Sequence, residues 1–212
     1  MIVANVMTRN PVFVSPEMSV NDVRALMTRE KIGKLPVLDK NNRLVGIVTK
    51  KDLVKAGPSG ATTLDMYEIS YLLSKLKVEK VMEKNVLTVQ QTEVVEEAAR
   101  IMADSAVGCL PVLKGDLLVG IITETDLFRA FIDMFGARHS GVRATFQLEE
   151  KPGMLATLAR NIADKNGNIV SLVTFDGEDL SKRRCTCKVS GIEKKEMEDI
   201  ITSCGSKLED IR

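Results

Sequence analysis

The chain has 212 residues, an ordinary apolar share of 44% and a net charge of +1, with Lys+Arg 30 against Asp+Glu 29. That length suits one to two domains with a packed core, and the charge balance excludes the basic excess that nucleic acid or an anionic membrane surface demands. No stretch approaches the ~18 apolar residues of a membrane span. Met1 to Val6 lacks the basic start and apolar run of a secretion signal, so a cytoplasmic protein is expected.

Residues 1–135 read as two copies of one unit. Val6-Met7 recurs as Val81-Met82, Gly33 to Leu38 recurs as Gly108 to Leu113, and Leu44 to Thr49 recurs as Leu118 to Thr123. The offset changes by one residue in the turn at Asn41-Asn42, opposite Gly115-Asp116, where a length change costs least. Each copy reads strand, helix, strand, strand, helix. Val12-Phe13-Val14 is a short strand. Ser19 caps the next helix with Asp22 three residues on, and Val20, Val23 and Met27 share one helical face. Leu35-Val37 and Leu44-Val48 form a hairpin, and a last helix follows Thr49. In the second copy Thr92 is the expected cap.

Gly57 to Gly60 breaks the chain between the copies, and a helix over Leu64 to Leu73 follows, with Leu64, Ile69, Leu72, Leu73 and Leu76 as its packing stripe. From Val142 the pattern changes to βαββαβ, the ferredoxin-like split order. Its strands are Val142–Leu148, Ile169–Phe175, Arg184–Val189 and Lys207–Ile211. Helices run from Lys151-Pro152-Gly153-Met154 to about Lys165 and over Glu193–Ser203, and Pro152 suits a first helical turn. The expected fold is α+β, divided as repeat one 1–56, a linker with a helix 57–77, repeat two 78–135, a linker 136–141 and a C-terminal domain 142–212.

Catalytic chemistry finds little support. The single histidine, His139, sits in the linker Gly136 to Gly141, which disfavours a His-based zinc site or a Ser-His-Asp triad; no catalytic residue and no metal site is expected. The cysteines are Cys109, Cys185, Cys187 and Cys204. They lack Cys-x-x-Cys spacing and read as reduced thiols, with Cys185 and Cys187 on one strand face as core.

Thr49-x-x-Asp52 and Thr123-x-x-Asp126 are each a capping box. Both follow a Gly-apolar-apolar strand, so each helix start offers free N–H groups to a phosphate. Asp can accept hydrogen bonds from two ribose hydroxyls. Lys50 and Lys51 flank the first box, Glu124 and Thr125 the second, so the Asp52 site is expected to prefer the more phosphorylated nucleotide.

With Val6-Met7-Thr8, Gly33-Lys34-Leu35-Pro36-Val37 and Gly46-Ile47-Val48-Thr49 to Asp52-Leu53 all repeated, residues 1–135 resemble a tandem pair of CBS domains, the Bateman module. The resemblance implies AMP, ADP, ATP or S-adenosylmethionine in the cleft between the paired sheets, with no required cofactor. It implies that Asp52 and Asp126 hold ribose and that Thr49, Thr123 and Lys50 contact ribose or phosphate. Val12, Phe13, Leu87 and Thr88 would offer backbone contacts to the base, and Lys34, Leu35, Pro36, Cys109, Leu110 and Pro111 would line the pockets. Glu150-Lys151-Pro152-Gly153-Met154-Leu155 resembles the first turn of an ACT domain. That implies either an amino-acid effector held by Glu150, Pro152, Gly153, Met154 and Leu155 or a purely dimerising module, and Glu150 stands where Asp or Asn is usual. The whole order is similar to the acetoin-utilisation protein B family. It implies a homodimeric, non-catalytic regulator of another protein, binding neither nucleic acid nor membrane. The alternative is an oligomerising scaffold with vestigial ligand sites.

Overall fold

The computed structural model describes residues 1–57, 65–177 and 181–212. They divide into two compact units, Met1–Leu127 and Phe128–Arg212.

In the first unit a 3-10 turn, Val3–Asn5, leads into β1 (Thr8–Arg9) and α1 (Val20–Arg29). Ser19 caps α1, its Oγ accepting from the Asp22 N–H at 3.1 Å, and Val20, Val23 and Met27 are buried as the helical period requires. β2 (Lys34–Leu38) and β3 (Leu44–Thr49) pair antiparallel, with Leu35 opposite Val48. Their turn is held by Asp39 Oδ1, which accepts from the Asn41 and Arg43 N–H groups at 2.8 and 2.9 Å. Val12 and Phe13 are not strand; only Val14 bridges to Val37. α2 (Lys50–Lys55) closes the repeat.

α3 (Met66–Lys75) is capped by Asp65, whose Oδ1 accepts from Tyr67 and Glu68 N–H. Leu73 is buried against repeat one, with Ile69 and Leu76 beside it. Leu72 is exposed instead of packed, and the expected start of this helix at Leu64 lies outside the described residues.

Repeat two supplies β4 (Val89–Gln90), α4 (Val95–Asp104), β5 (Cys109–Lys114), β6 (Leu117–Thr123) and α5 (Glu124–Met134). Thr92 does not cap α4; Val94 holds the N-cap position and gives no side-chain bond. The reason is register. Ile2 bridges to Val94, and the Met1 carbonyl accepts the Val95 N–H at 3.1 Å, so the Met1-Ile2 segment does the work of a cap.

That contact belongs to an exchange the sequence pattern does not display. β1 pairs with β6, Thr8 opposite Ile121, and Val3 is buried in the core of repeat two with Leu110, Val112 and Ile122. Reciprocally, Glu83 pairs with Ile47 of β3, and Val78 is buried in the core of repeat one with Leu35, Val37 and Val48. Each repeat's lead-in therefore completes the other repeat's sheet. Met82 and Met7 lie over Gly46 and Gly120. A Cβ on Gly46 would stand 2.5 Å from Met82 Sδ, and one on Gly120 would meet Met7 more closely still, so the duplicated Val-Met and the duplicated glycine are two halves of one contact.

In the second unit β7 (Val142–Glu149), α6 (Met154–Asp164), β8 (Asn168–Asp176), β9 (Lys182–Ser190), α7 (Lys194–Ser203) and β10 (Lys207–Ile211) form an antiparallel sheet in the order β10-β7-β9-β8, a ferredoxin-like topology. Val142, Ala144, Phe146 and Leu148 alternate into a core shared with Leu158, Ile162, Met197 and Ile201. Cys185 and Cys187 are fully buried in it, and burial pushes the Cys187 thiol up to about 12. Pro152 falls short of the helix: α6 begins at Met154, after Gly153 turns the chain at φ 92°. The Ser171 hydroxyl and Lys188 ammonium donate to the carbonyls of Phe135 and Gly136 at 3.0 and 2.8 Å, which ties the segment after α5 to this sheet.

Candidate functional site

The two Thr-x-x-Asp motifs fold alike. Asp52 Oδ2 accepts from the Thr49 N–H at 2.9 Å and its hydroxyl at 2.7 Å, and the Thr49 Oγ1 accepts from the Asp52 N–H at 3.4 Å. Thr123 and Asp126 repeat the same three bonds at the same distances. Each box thus ends a buried strand and starts a helix. Their surroundings differ: Asp52 is half-buried, whereas Asp126 is only 6% exposed.

Asp52 opens on a cavity of about 780 Å³. It gathers Lys34, Thr49, Lys50, Asp52, Leu87 and Cys109 from the expected set. Ile47, Val86, Leu87 and Val107 give it apolar wall, and Lys34, Lys50, Lys51 and Lys55 give it positive charge. Glu83, Asn85 and Lys55 are members that the sequence motif did not flag, although Glu83 directly follows the duplicated Val81-Met82. A cavity this size with an apolar wall and convergent charged groups suits a small, polar organic ligand. Ile47, Cys109 and Ile121 pack together behind the wall, with Val86 against them. Burial raises the Cys109 thiol pKa; Lys34 opposes that rise and Glu124 adds to it.

The remaining expected residues lie elsewhere. Leu35 and Leu110 are fully buried in the two repeat cores, and Pro36 and Pro111 are buried beside them, so their side chains do not line this cavity. Thr123, Asp126, Val12 and Phe13 lie outside its lining, Val12 and Phe13 being well exposed. Thr88 lines a separate cavity of about 480 Å³ with Arg43, Lys84 and Asp116. The charges expected at two separate sites meet at one opening. Glu124, assigned to a second site, lines the same cavity as Lys50 and Lys51, because the exchange of lead-ins brings the hairpin ends of both repeats to one opening.

In the second unit Glu150, Lys151, Met154 and Leu155 line a cavity of about 190 Å³ with Thr174, Arg183 and Cys185. Pro152 and Gly153 are not in its lining. Glu150 is ion-paired to Arg183. Lys151, 2.7 Å from Glu149, holds that carboxyl below the usual range.

Two sheets joined by exchanged lead-ins, with a Thr-x-x-Asp box at each hairpin end, define a paired-repeat module. Residues 3–59 and 78–133 match the CBS domain, and residues 140–212 match the TTHA0829-like ACT domain; the chain belongs to the CBS-domain family, with an ACT domain appended. Among solved structures, a Vibrio cholerae protein named for acetoin utilization (AcuB) is 32% identical at TM-score 0.54, covering 65% of this chain and 95% of that one. The CBS pair of protein MJ0100, in complex with 5′-methylthioadenosine and S-adenosyl-L-methionine, is 25% identical at TM-score 0.53, covering 66% and 98%. CBSX2 in complex with AMP is 34% identical at TM-score 0.50, covering 62% and 96%. Among curated relatives, the uncharacterized protein MJ1225 of Methanocaldococcus jannaschii is 30% identical over 132 residues, 61% of this chain, and the chain spans only 47% of its length. No helix among the described residues is long and apolar enough to cross a membrane.

Proposed function

We propose that this chain is a non-catalytic cytoplasmic regulator that holds an adenosine ligand, AMP, ADP, ATP or S-adenosylmethionine, in its CBS pair. Repeats 1–56 and 78–135 form the sensor, and residues 142–212 form a module that dimerises or takes an amino acid. The observation that carries the reading is the Asp52 cavity. Asp52 spends one oxygen on its cap; among the described residues nothing engages Oδ1, which is left for ribose hydroxyls. Lys50 and Lys51 stand at the α2 start beside it for phosphate, and Val86 and Leu87 offer an apolar wall for the base. MJ0100 and CBSX2, similar over the same region, were solved with ligands of this class. The likeness to AcuB supports a regulatory target in acetoin catabolism. Phe128, Phe131 and Met134, exposed on one side of α5, support self-association as a homodimer.

Thermal unfolding of the full chain with each ligand tests this. A ligand at ~100-fold its Kd adds about 2.7 kcal/mol to stability, and Asp52→Ala abolishes the shift. No shift with any adenosine ligand overturns the sensor in favour of the scaffold.

A further inference from the structure

One wall of the Asp52 cavity carries a contact between the two repeats. Lys34, the first residue of β2, reaches out of repeat one; its Nζ donates to the carbonyl of Gly108 and stands 3.8 Å from Glu124 Oε2. Both acceptors belong to repeat two. The equivalent positions in repeat one are Gly33 and Lys50, and there the Lys50 stem simply lies over Gly33, with Cδ 3.6 Å from where a Cβ would be. The duplication has put a lysine in one copy and a glutamate in the other, and the glutamate has drawn a lysine across from the opposite repeat. Gly108 makes the contact possible: a Cβ there would stand 2.6 Å from Glu124 Oε2 and 2.7 Å from Lys34 Nζ.

We infer that the Lys34–Glu124 pair is the charge selector of this cavity, admitting an adenosine ligand with at most one phosphate and disfavouring ATP. The inference rests on reading the cavity as an adenosine site. With the pair closed, Lys34 is neutralised, while the Glu124 side chain remains 62% exposed at the opening. A triphosphate chain meets that carboxylate and must pull Lys34 off it before gaining that lysine beside Lys50, Lys51 and Lys55. A single phosphate is served by Lys50 and Lys51 alone. The cationic chain of S-adenosylmethionine meets Glu124 favourably.

Isothermal titration of the full chain with AMP, ATP and S-adenosylmethionine, for wild type, Glu124→Gln and Lys34→Met, tests the selector. The wild type is expected to bind AMP more tightly than ATP. Glu124→Gln is expected to tighten ATP about fivefold, the scale of one exposed ion pair, and to change AMP by less than about twofold. Lys34→Met leaves Glu124 unpaired and moves ATP the opposite way. If Glu124→Gln shifts ATP and AMP by the same factor, or if the wild type already prefers ATP, the selector is overturned while the adenosine site stands. If none of the three ligands binds any of the three proteins, the site and the selector fall together.

Discussion

The Thr49–Asp52 and Thr123–Asp126 boxes share three hydrogen bonds of equal length, yet one faces a cavity and the other is nearly sealed. The comparison teaches that the motif specifies a helix start and no more. What surrounds it decides whether the start is a site. Around Asp52 the surroundings include four lysines and a carboxylate from the opposite repeat, none of which lies in the motif's fixed positions.

The largest test of this equivalence is at its foundation. Gly46→Ala and Gly120→Ala each drive a methyl into a methionine and a backbone carbonyl, Glu83 or Thr8. Each is expected to cost about 2–3 kcal/mol in urea unfolding, and the two losses should match within about 1 kcal/mol. A large loss at one glycine alone would break the pseudo-symmetry.

The next test separates cap from site. Asp52→Ala and Asp126→Ala should each cost about 1–2 kcal/mol of ligand-free stability. Asp126→Ala should cost the more, since it leaves buried donors unpaired. Only Asp52→Ala should abolish AMP binding at the lysine-lined cavity, measured by calorimetry.

Cysteines sharpen the comparison between units. Cys187 lies in the second core, its thiol pushed from 9.0 to about 12 by burial, with Cys185 adding to the rise. Cys109, at the cavity wall, is raised too but has Lys34 opposing the rise. A thiol whose folded pKa is raised stabilises fully below its unfolded value, and that stability is lost as pH climbs through the folded one. The window here runs from pH 9 to about 12. By pH 10 Cys187 should have cost about 1 kcal/mol. Cys187→Ala should flatten this alkaline limb in pH-dependent unfolding, and Cys109→Ala should flatten it less.

The smallest effect concerns the two first helices. Ser19 caps α1, and Val94 holds the same place before α4 with no side-chain bond. Val94→Ser should raise stability by about 0.5 kcal/mol and Ser19→Ala should lower it by about 1 kcal/mol, both read from chemical denaturation.

What was legible followed from short-range rules. The buried face of Val20, Val23 and Met27 is a helical period, and the alternation of Val142 to Leu148 is a strand period. The capping role of both Asp residues was legible for the same reason. Thr92 misled because an intrinsic cap preference was weighed without the Ile2–Val94 bridge, whose partners are far apart in the chain. The entry of Glu124 into the Asp52 cavity was hidden likewise: it depends on which hairpin end each lead-in docks against, and that pairing leaves no local pattern. Leu35 and Leu110 mark a further limit. A motif can place a residue beside a pocket, while strand alternation turns its side chain to the core.

The exchange of lead-ins also has a consequence in time. Thr8 pairs with Ile121, so this stretch leaves the ribosome well before its strand partner, which follows only when most of the first unit has been made. At ordinary rates of synthesis that wait is on the order of ten seconds. Val3 spends it without its core, while repeat one must borrow Val78 from chain still being added. Repeat one can close once Val78 to Glu83 has emerged, whereas the pairing of Thr8 waits for the second hairpin. Synthesis delivers them in sequence, and the Asp52 cavity, which draws Glu124 from the second repeat, is among the last features of the first unit to take shape.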